Sequence, residues 1–340
     1  MQDSNVLDEL DLEIVNALQL APRARWADLA PILGADPTTL ARRWQRLTDD
    51  GIARITVVPR RGTVSQQSVA YVELRCANGA IPKVTARLAA DPDVLTIHHT
   101  AGFAQLMIVL TAGPRLPDYL LNRIGPISGV LDYAVHIITD LPFETDRWHI
   151  RALTADQHNR LRALGVGAGD GRSLEGRVTD LDRELVTRLC VDGRASYQEL
   201  ADQTGVSAPA VARRLNRLLR ARVIGLRCDV SRRRLGLPGA VFLRGTLDRA
   251  EFRTAMGELG ARIPELRLIT AVAGASNSQL SVWLRSIADL FQVEERLARE
   301  LPSLRVTDRI VVLRTIKLMG HILDDSERRI RTVPINVDYL

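Results

Sequence analysis

One stretch of this 340-residue chain occurs twice. LDLEIVNALQLAPRARWADLAPILGADPTTLARRWQRL (Leu10 to Leu47) lies over LDRELVTRLCVDGRASYQELADQTGVSAPAVARRLNRL (Leu181 to Leu218) at a constant offset of 171 without a gap, and 15 of the 38 positions are identical. Self-similarity at a fixed offset marks a duplicated structural unit, so the fold must be one that can be built twice along a chain. The length allows two domains at about 150 residues each, and more if they are small.

Each copy reads as three helices in succession. In the second, Ser196 and Glu199 form a capping box that satisfies free backbone donors at a helix start. Gly34 and Gly205, at matching positions, end that helix in the left-handed conformation. Asp36-Pro37 and Ser207-Ala208-Pro209 then supply an N-cap residue with proline in the first turn. On the helix that follows, Leu40, Trp44 and Leu47, and Val211, Leu215 and Leu218, recur at i, i+4, i+7 as a buried stripe. The other face falls to Thr38, Thr39, Arg42, Arg43 and Arg46 in the first copy, and to Ser207, Ala210, Arg213, Arg214 and Arg217 in the second.

A helix, a glycine turn and a second helix with a small or polar tip and an arginine face is how a helix-turn-helix presents residues to a major groove. A lone arginine-rich helix is more often a solvated face; the turn and the duplication reverse that balance. The ten residues just named are therefore the DNA-binding candidates. Net charge is +6 with a pI near 9.7, which suits an anionic partner. Its placement is uneven. Residues 177–236 hold thirteen arginines against seven acids, and residues 1–62 hold eight against nine. The second copy is expected to supply most of the phosphate affinity.

After the third helix, residues 51–58 and 223–230 look like strands, as in a winged or strand-extended variant. The rest of each unit has one order: strand 69–76, helix 81–90, strands 94–100 and 103–111, helix 116–124 and strand 130–139. The second copy repeats it with strand 240–247, helix 249–262, strands 266–273 and 279–284, helix 288–301 and strand 305–318. This is βαββαβ, a ferredoxin-like unit, and the fold class is α+β, two copies of a winged helix-turn-helix followed by a ferredoxin-like domain. The expected boundaries are 1–62 and 177–236 for the helix-turn-helix domains and 66–142 and 237–323 for the βαββαβ domains. A linker with a short helix covers 143–176, and a tail covers 324–340. In the linker Thr154 and Gln157 repeat the capping-box pattern.

Other classes fit poorly. Cys76, Cys190 and Cys228 are widely separated and odd in number, which reads as reduced thiols, and the six histidines are scattered, so no metal site is expected. The longest apolar runs fall far short of the roughly 20 residues a membrane helix needs. The first residues are acidic and lack an apolar stretch, so the expectation is a cytoplasmic protein without a membrane partner.

The motifs LD-x-x-x-(L/V)-x-x-L, R-A-S-x-x-E-L-A and S-x-x-x-V-x-R-R-L-x-R-L, followed by βαββαβ, resemble the Lrp/AsnC (feast/famine) transcriptional regulators, twice over. The resemblance implies that the helix from Ser207 enters double-stranded DNA. It also implies that the βαββαβ domain oligomerises and binds a small effector, often an amino acid, near Thr100, Gly102, Gln105, Gly274 and Asn277. The family's loop resembles G-x-x-D, whereas the tetrads here are Gly102-Phe103-Ala104-Gln105 and Gly274-Ala275-Ser276-Asn277. An amide supplies no negative charge for an ammonium group, which argues against an amino acid and for a structural turn.

Typical members dimerise, so the duplication implies an intrachain pseudo-dimer that assembles into a homodimer or homotetramer, with the apolar strand 305–319 as a contact edge. The alternative is a siroheme decarboxylase-like enzyme, since those enzymes resemble the same fold and some are fused pairs. Their resemblance rests on an H-N-Y-E-R-type segment. The corresponding HHTAGFAQ (His98 to Gln105) lacks the Tyr-Glu-Arg run, and the second copy has no histidine there, so no catalytic residue and no cofactor is expected.

Overall fold

The computed structural model describes residues 7–59, 69–143, 148–164, 177–254 and 259–338. The first half runs through α1 (Glu9–Leu20), α2 (Trp26–Leu33), α3 (Pro37–Asp49), β1 (Ala53–Pro59), β2 (Val69–Cys76), α4 (Ile81–Ala89), β3 (Val94–Thr100) and β4 (Leu106–Thr111). It continues with α5 (Leu116–Tyr119), which widens into a π turn over Leu120–Ile124, then β5 (Val130–Phe143) and α6 (Ala155–Leu164). The second half has α7 (Asp180–Val191), α8 (Tyr197–Thr204), α9 (Ala208–Arg220), β6 (Ile224–Val230), β7 (Gly239–Thr246), α10 (Arg249–Thr254), α11 (Leu259–Arg262), β8 (Leu266–Val272) and β9 (Ser278–Leu284). It ends with α12 (Leu290–Glu300), β10 (Arg305–Leu318), β11 (His321–Leu323) and β12 (Arg329–Thr332). The helix expected over 249–262 is thus described as α10 and α11, with residues 255–258 outside the described set.

The chain sorts like with like. One compact unit comprises residues 1–64, 149–235 and 326–340, and the other residues 65–148 and 236–325. Both helix-turn-helix modules are in the first unit, and both βαββαβ copies are in the second.

In the first unit, Ile14, Leu18, Leu29, Leu40, Trp44 and Leu47 bury the inward faces of α1 to α3. The same positions one repeat on, Leu185, Leu189, Leu200, Val211, Leu215 and Leu218, bury those of α7 to α9. Residues 51–58 and 223–230 do not fold back as wings on their own modules. Instead β1 pairs antiparallel with β6 from Ala53↔Val230 to Pro59↔Ile224, and Thr56 meets its own equivalent, Arg227. The short helix expected in the linker docks on the first module. Leu161 of α6 is fully buried in its core, Gln157 donates to the Ile32 carbonyl (3.1 Å), and the Ile150 amide donates to Gln19 (2.8 Å). The glycine-rich second part of that linker, residues 165–176, lies outside the described residues. The segment read as a tail also packs into this unit. Arg232 pairs with Glu327 (2.6 Å), the Arg329 amide donates to the Gly51 carbonyl (2.8 Å), and Ile335 and Val337 are buried.

In the second unit the pairings form a closed circuit, β10-β3-β4-β2-β5-β8-β9-β7 and back to β10. The two 14-residue strands close it. β5 pairs with β2 up to Ile137 and then with β8 from Ile138, while β10 pairs with β7 up to Val311 and then with β3 from Val312. The alternation of a strand sends Ala70, Val72 and Leu74 of β2 to a core shared with α4 and α5, and Tyr71 to the opposite face. There it joins Phe242, Ile310 and Val312 from the second copy. Of the positions expected to form a contact edge on β10, Ile310, Val312, Thr315 and Lys317 are buried and Leu313 is exposed.

Candidate nucleic-acid interface

The candidate reading helices α3 and α9 start from the same turn. Gly34 (φ +66°) and Gly205 (φ +71°) hold the left-handed conformation, and nothing within 4 Å would meet a Cβ at either. The constraint on both is backbone conformation alone. The two helix tips then differ. Asp36 caps α3 by accepting from the Thr38 amide (2.8 Å) and hydroxyl, bonds that hold its carboxyl below the usual carboxylate range. Ser207 occupies the N-cap position of α9, but its side chain makes no cap hydrogen bond, contrary to the capping role expected from sequence. Pro209 in the first turn of α9 removes one donor, and Ala210 is half-buried.

The three arginines on each reading face have unlike fates. Asp11 of α1 is buried and accepts from Arg43 (3.0 Å) and Arg46 (2.5 Å). Asp182 of α7, fully buried, accepts from Arg214 (3.1 Å) and Arg217 (2.7 Å) at the equivalent places. Arg43 also reaches Asp8 (2.5 Å). Four of the six arginines therefore hold the reading helix to the first helix of its own module. Arg42 and Arg213 are exposed and make no hydrogen bond or ion pair among the described residues. Thr38 is exposed and tied to Asp36, and Thr39 is half-buried.

A second set of residues joins the modules to each other. Arg23 donates to the carbonyls of Gly193 and Ala195 (both 2.8 Å), and its equivalent Arg194 donates to those of Pro22 (2.7 Å) and Ala24 (3.0 Å). Arg23 lies over the Tyr197 ring (4.9 Å) and Arg194 over the Trp26 ring (4.4 Å), again equivalent positions. Every partner is reproduced at the offset of the repeat, so this is an isologous interface inside one chain. Burial and the neighbouring Arg23 charge bring Arg194 down to about 10, so its guanidinium remains charged at neutral pH. Sequence reading missed this clasp. The signal was present in Arg23/Arg194, an identical pair beside a turn where nothing in the module itself requires an arginine.

The AsnC-type helix-turn-helix domain matches residues 7–48 and 178–219, the two modules just described. Relatives include the regulatory protein AsnC of Escherichia coli K12, 29% identical over 41% of this chain and 96% of its own length. The HTH-type transcriptional regulator Rv2324 of Mycobacterium tuberculosis is 28% identical over 42% of this chain and 97% of its own. The chain thus carries the AsnC-type helix-turn-helix twice, and over the length of one unit it is similar to these regulators. Across the duplicated length, the fold is similar to that of the siroheme decarboxylase NirDL, with a TM-score of 0.59 and 14% identity over 92% of this chain and 93% of that one.

The residues that the Lrp/AsnC resemblance marks for an effector are divided by the structure. Thr100 and Gly102 line a cleft of about 130 Å³ with Glu73, Phe103, Met107, Asp308 and Arg309. Gln105 is turned to the backbone, accepting from the Cys76 amide (2.9 Å) and donating to the Phe103 carbonyl (3.0 Å). Asn277 in the second copy accepts from the Leu247 amide (2.8 Å) and donates to its carbonyl (2.9 Å). Both amides are thus spent on the chain itself, and Gly102 (φ +125°) and Gly274 (φ +147°) set the turns beside them. The nearby Glu73 stays ionised although burial opposes it, because His136, its Nε2 3.9 Å away, and the Arg244 guanidinium, which donates to it, bring its carboxyl down to about 2.

Proposed function

We propose that this protein is a sequence-specific, DNA-binding transcriptional regulator that reads duplex DNA with α3 and α9 together. The observation that carries this reading is the pair Arg42 and Arg213, equivalent positions on two AsnC-type reading helices, both exposed and uncommitted among the described residues. A guanidinium in this position serves either a phosphate or the O6 and N7 of guanine. The half-sites differ, because an ionised Asp36 accepts a hydrogen bond where Ser207 offers a hydroxyl. The remaining candidates, Thr38, Thr39, Arg43, Arg46, Ala210, Arg214 and Arg217, shape the two faces around those residues.

The cleft at Thr100 and Gly102 is the place for a small effector, and the commitment of Gln105 and Asn277 to the backbone favours a ligand other than an amino acid. Exposed apolar residues on the second helical segment of each βαββαβ copy, Leu121 and Phe291, support association of chains into a homodimer or homotetramer. The rival reading is a decarboxylase acting on siroheme, favoured by the likeness to NirDL. Against it, HHTAGFAQ (His98 to Gln105) lacks the Tyr-Glu-Arg run on which the resemblance to those enzymes rests.

Capture of genomic fragments by the purified protein, followed by sequencing, tests the proposal. Enrichment of a bipartite motif with unlike halves is expected. Retention of no DNA at low salt would overturn it, and release of carbon dioxide from siroheme under anaerobic conditions would put the enzyme in its place.

A further inference from the structure

We infer that Arg23 and Arg194 fix the spacing between the two DNA half-sites; the inference rests on the DNA-reading function proposed above. The modules are joined by the β1–β6 ribbon, whose pairing is centred on Thr56 and Arg227. A two-stranded ribbon is the most readily twisted of sheets, so the angle between the modules depends on the contacts beside it. The two arginines are such contacts, set beside the ribbon, where the Gly193 amide also donates to the Ile55 carbonyl of β1 (3.1 Å). Each donates two hydrogen bonds to the turn that leads into α2 or α8, the helix that carries the other module's reading helix. The planar fork of a guanidinium reaches the two carbonyls from two nitrogens held in a fixed geometry, which the single nitrogen of a lysine does not reproduce. Neither arginine has a carboxylate partner among the described residues, and each is covered by an aromatic ring of the module it grips. Their role is to hold the readers at one separation, apart from any contact with DNA.

The experiment selects duplexes from a library with two randomised blocks separated by spacers of variable length, using the full chain, R23Q/R194Q and R23K/R194K. The wild type is expected to enrich two half-sites at one spacing, and a change of half a helical turn, about five base pairs, should weaken binding at least about tenfold. Both double variants should enrich the same half-site sequences, with the penalty for the altered spacing reduced to about threefold or less. Retention of the half-site sequences certifies that the modules are folded. If either double variant binds no DNA, the single R194K variant takes its place, with a broadened spacing again expected. Variants that keep the single wild-type spacing would overturn the inference. So would a lysine variant that restores it, or a wild type that enriches only one half-site. Enrichment of no sequence by the wild type would instead strike the DNA-reading function itself.

Discussion

Asp182 is where the second module is most exposed to a single change. Burial opposes its charge, but hydrogen bonds from the Thr179 amide and hydroxyl and from Arg214, with the charge of Arg217, hold the carboxyl below the usual range. A carboxylate whose folded pKa is lowered stabilises fully above its unfolded value near 4 and loses that contribution as pH falls through the folded value. Asp182→Asn should therefore cost on the order of 3 kcal/mol at neutral pH. The difference from wild type should shrink below about pH 4 in denaturant unfolding followed by circular dichroism. A difference undiminished near pH 2 would contradict this. The same geometry separates the arginines: Arg213→Ala should lower the salt slope of DNA binding by about 1, and Arg214→Ala should chiefly lower stability. Equal losses of slope in the two variants would count against it. The arginine face was legible from i, i+4 spacing, but the acid that claims two of its three arginines lies 32 and 35 residues earlier in each copy. Only the folded module brings them together, although Asp11 and Asp182 are identical in the repeat.

At the scale of elements, periodicity and caps were enough to place most helices and strands within a few residues. The capping boxes at Ser196/Glu199 and Thr154/Gln157 are present. The departures have a common cause. β5 runs to Phe143 because its far end pairs with β8 of the other copy, and β1 and β6 form a ribbon because each finds its partner in the other module. Neither partner is a sequence neighbour, so no local pattern announces it. The close approach of modules gives a test at Gly193, where a Cβ would stand 2.5 Å from the Ile55 side chain and 2.8 Å from its carbonyl oxygen. Gly193→Ala should cost about 1–3 kcal/mol by overpacking, read as a lowered thermal midpoint. An unchanged midpoint would mean that β1 and the turn after α7 yield freely.

For the whole molecule, the duplication predicted a pseudo-dimer, and the strand circuit does close within one chain. What the sequence did not reveal is the sorting of modules into two units, since that depends on contacts made across half the chain. Because the circuit is complete in one chain, dilution to a single 37.6 kDa species by light scattering should leave the strand signal in circular dichroism intact. Loss of that signal on dissociation would mean that the fold depends on association. The proposed function turns on α3 and α9 together reading duplex DNA by sequence. Its most direct measurement is equilibrium binding to a selected duplex and to a scrambled one, titrated with salt. At least about 10³-fold preference for the selected duplex is expected at physiological salt, with affinity falling linearly in log–log form as salt rises. Equal affinity for the two duplexes, or no binding to either at low salt, would contradict it.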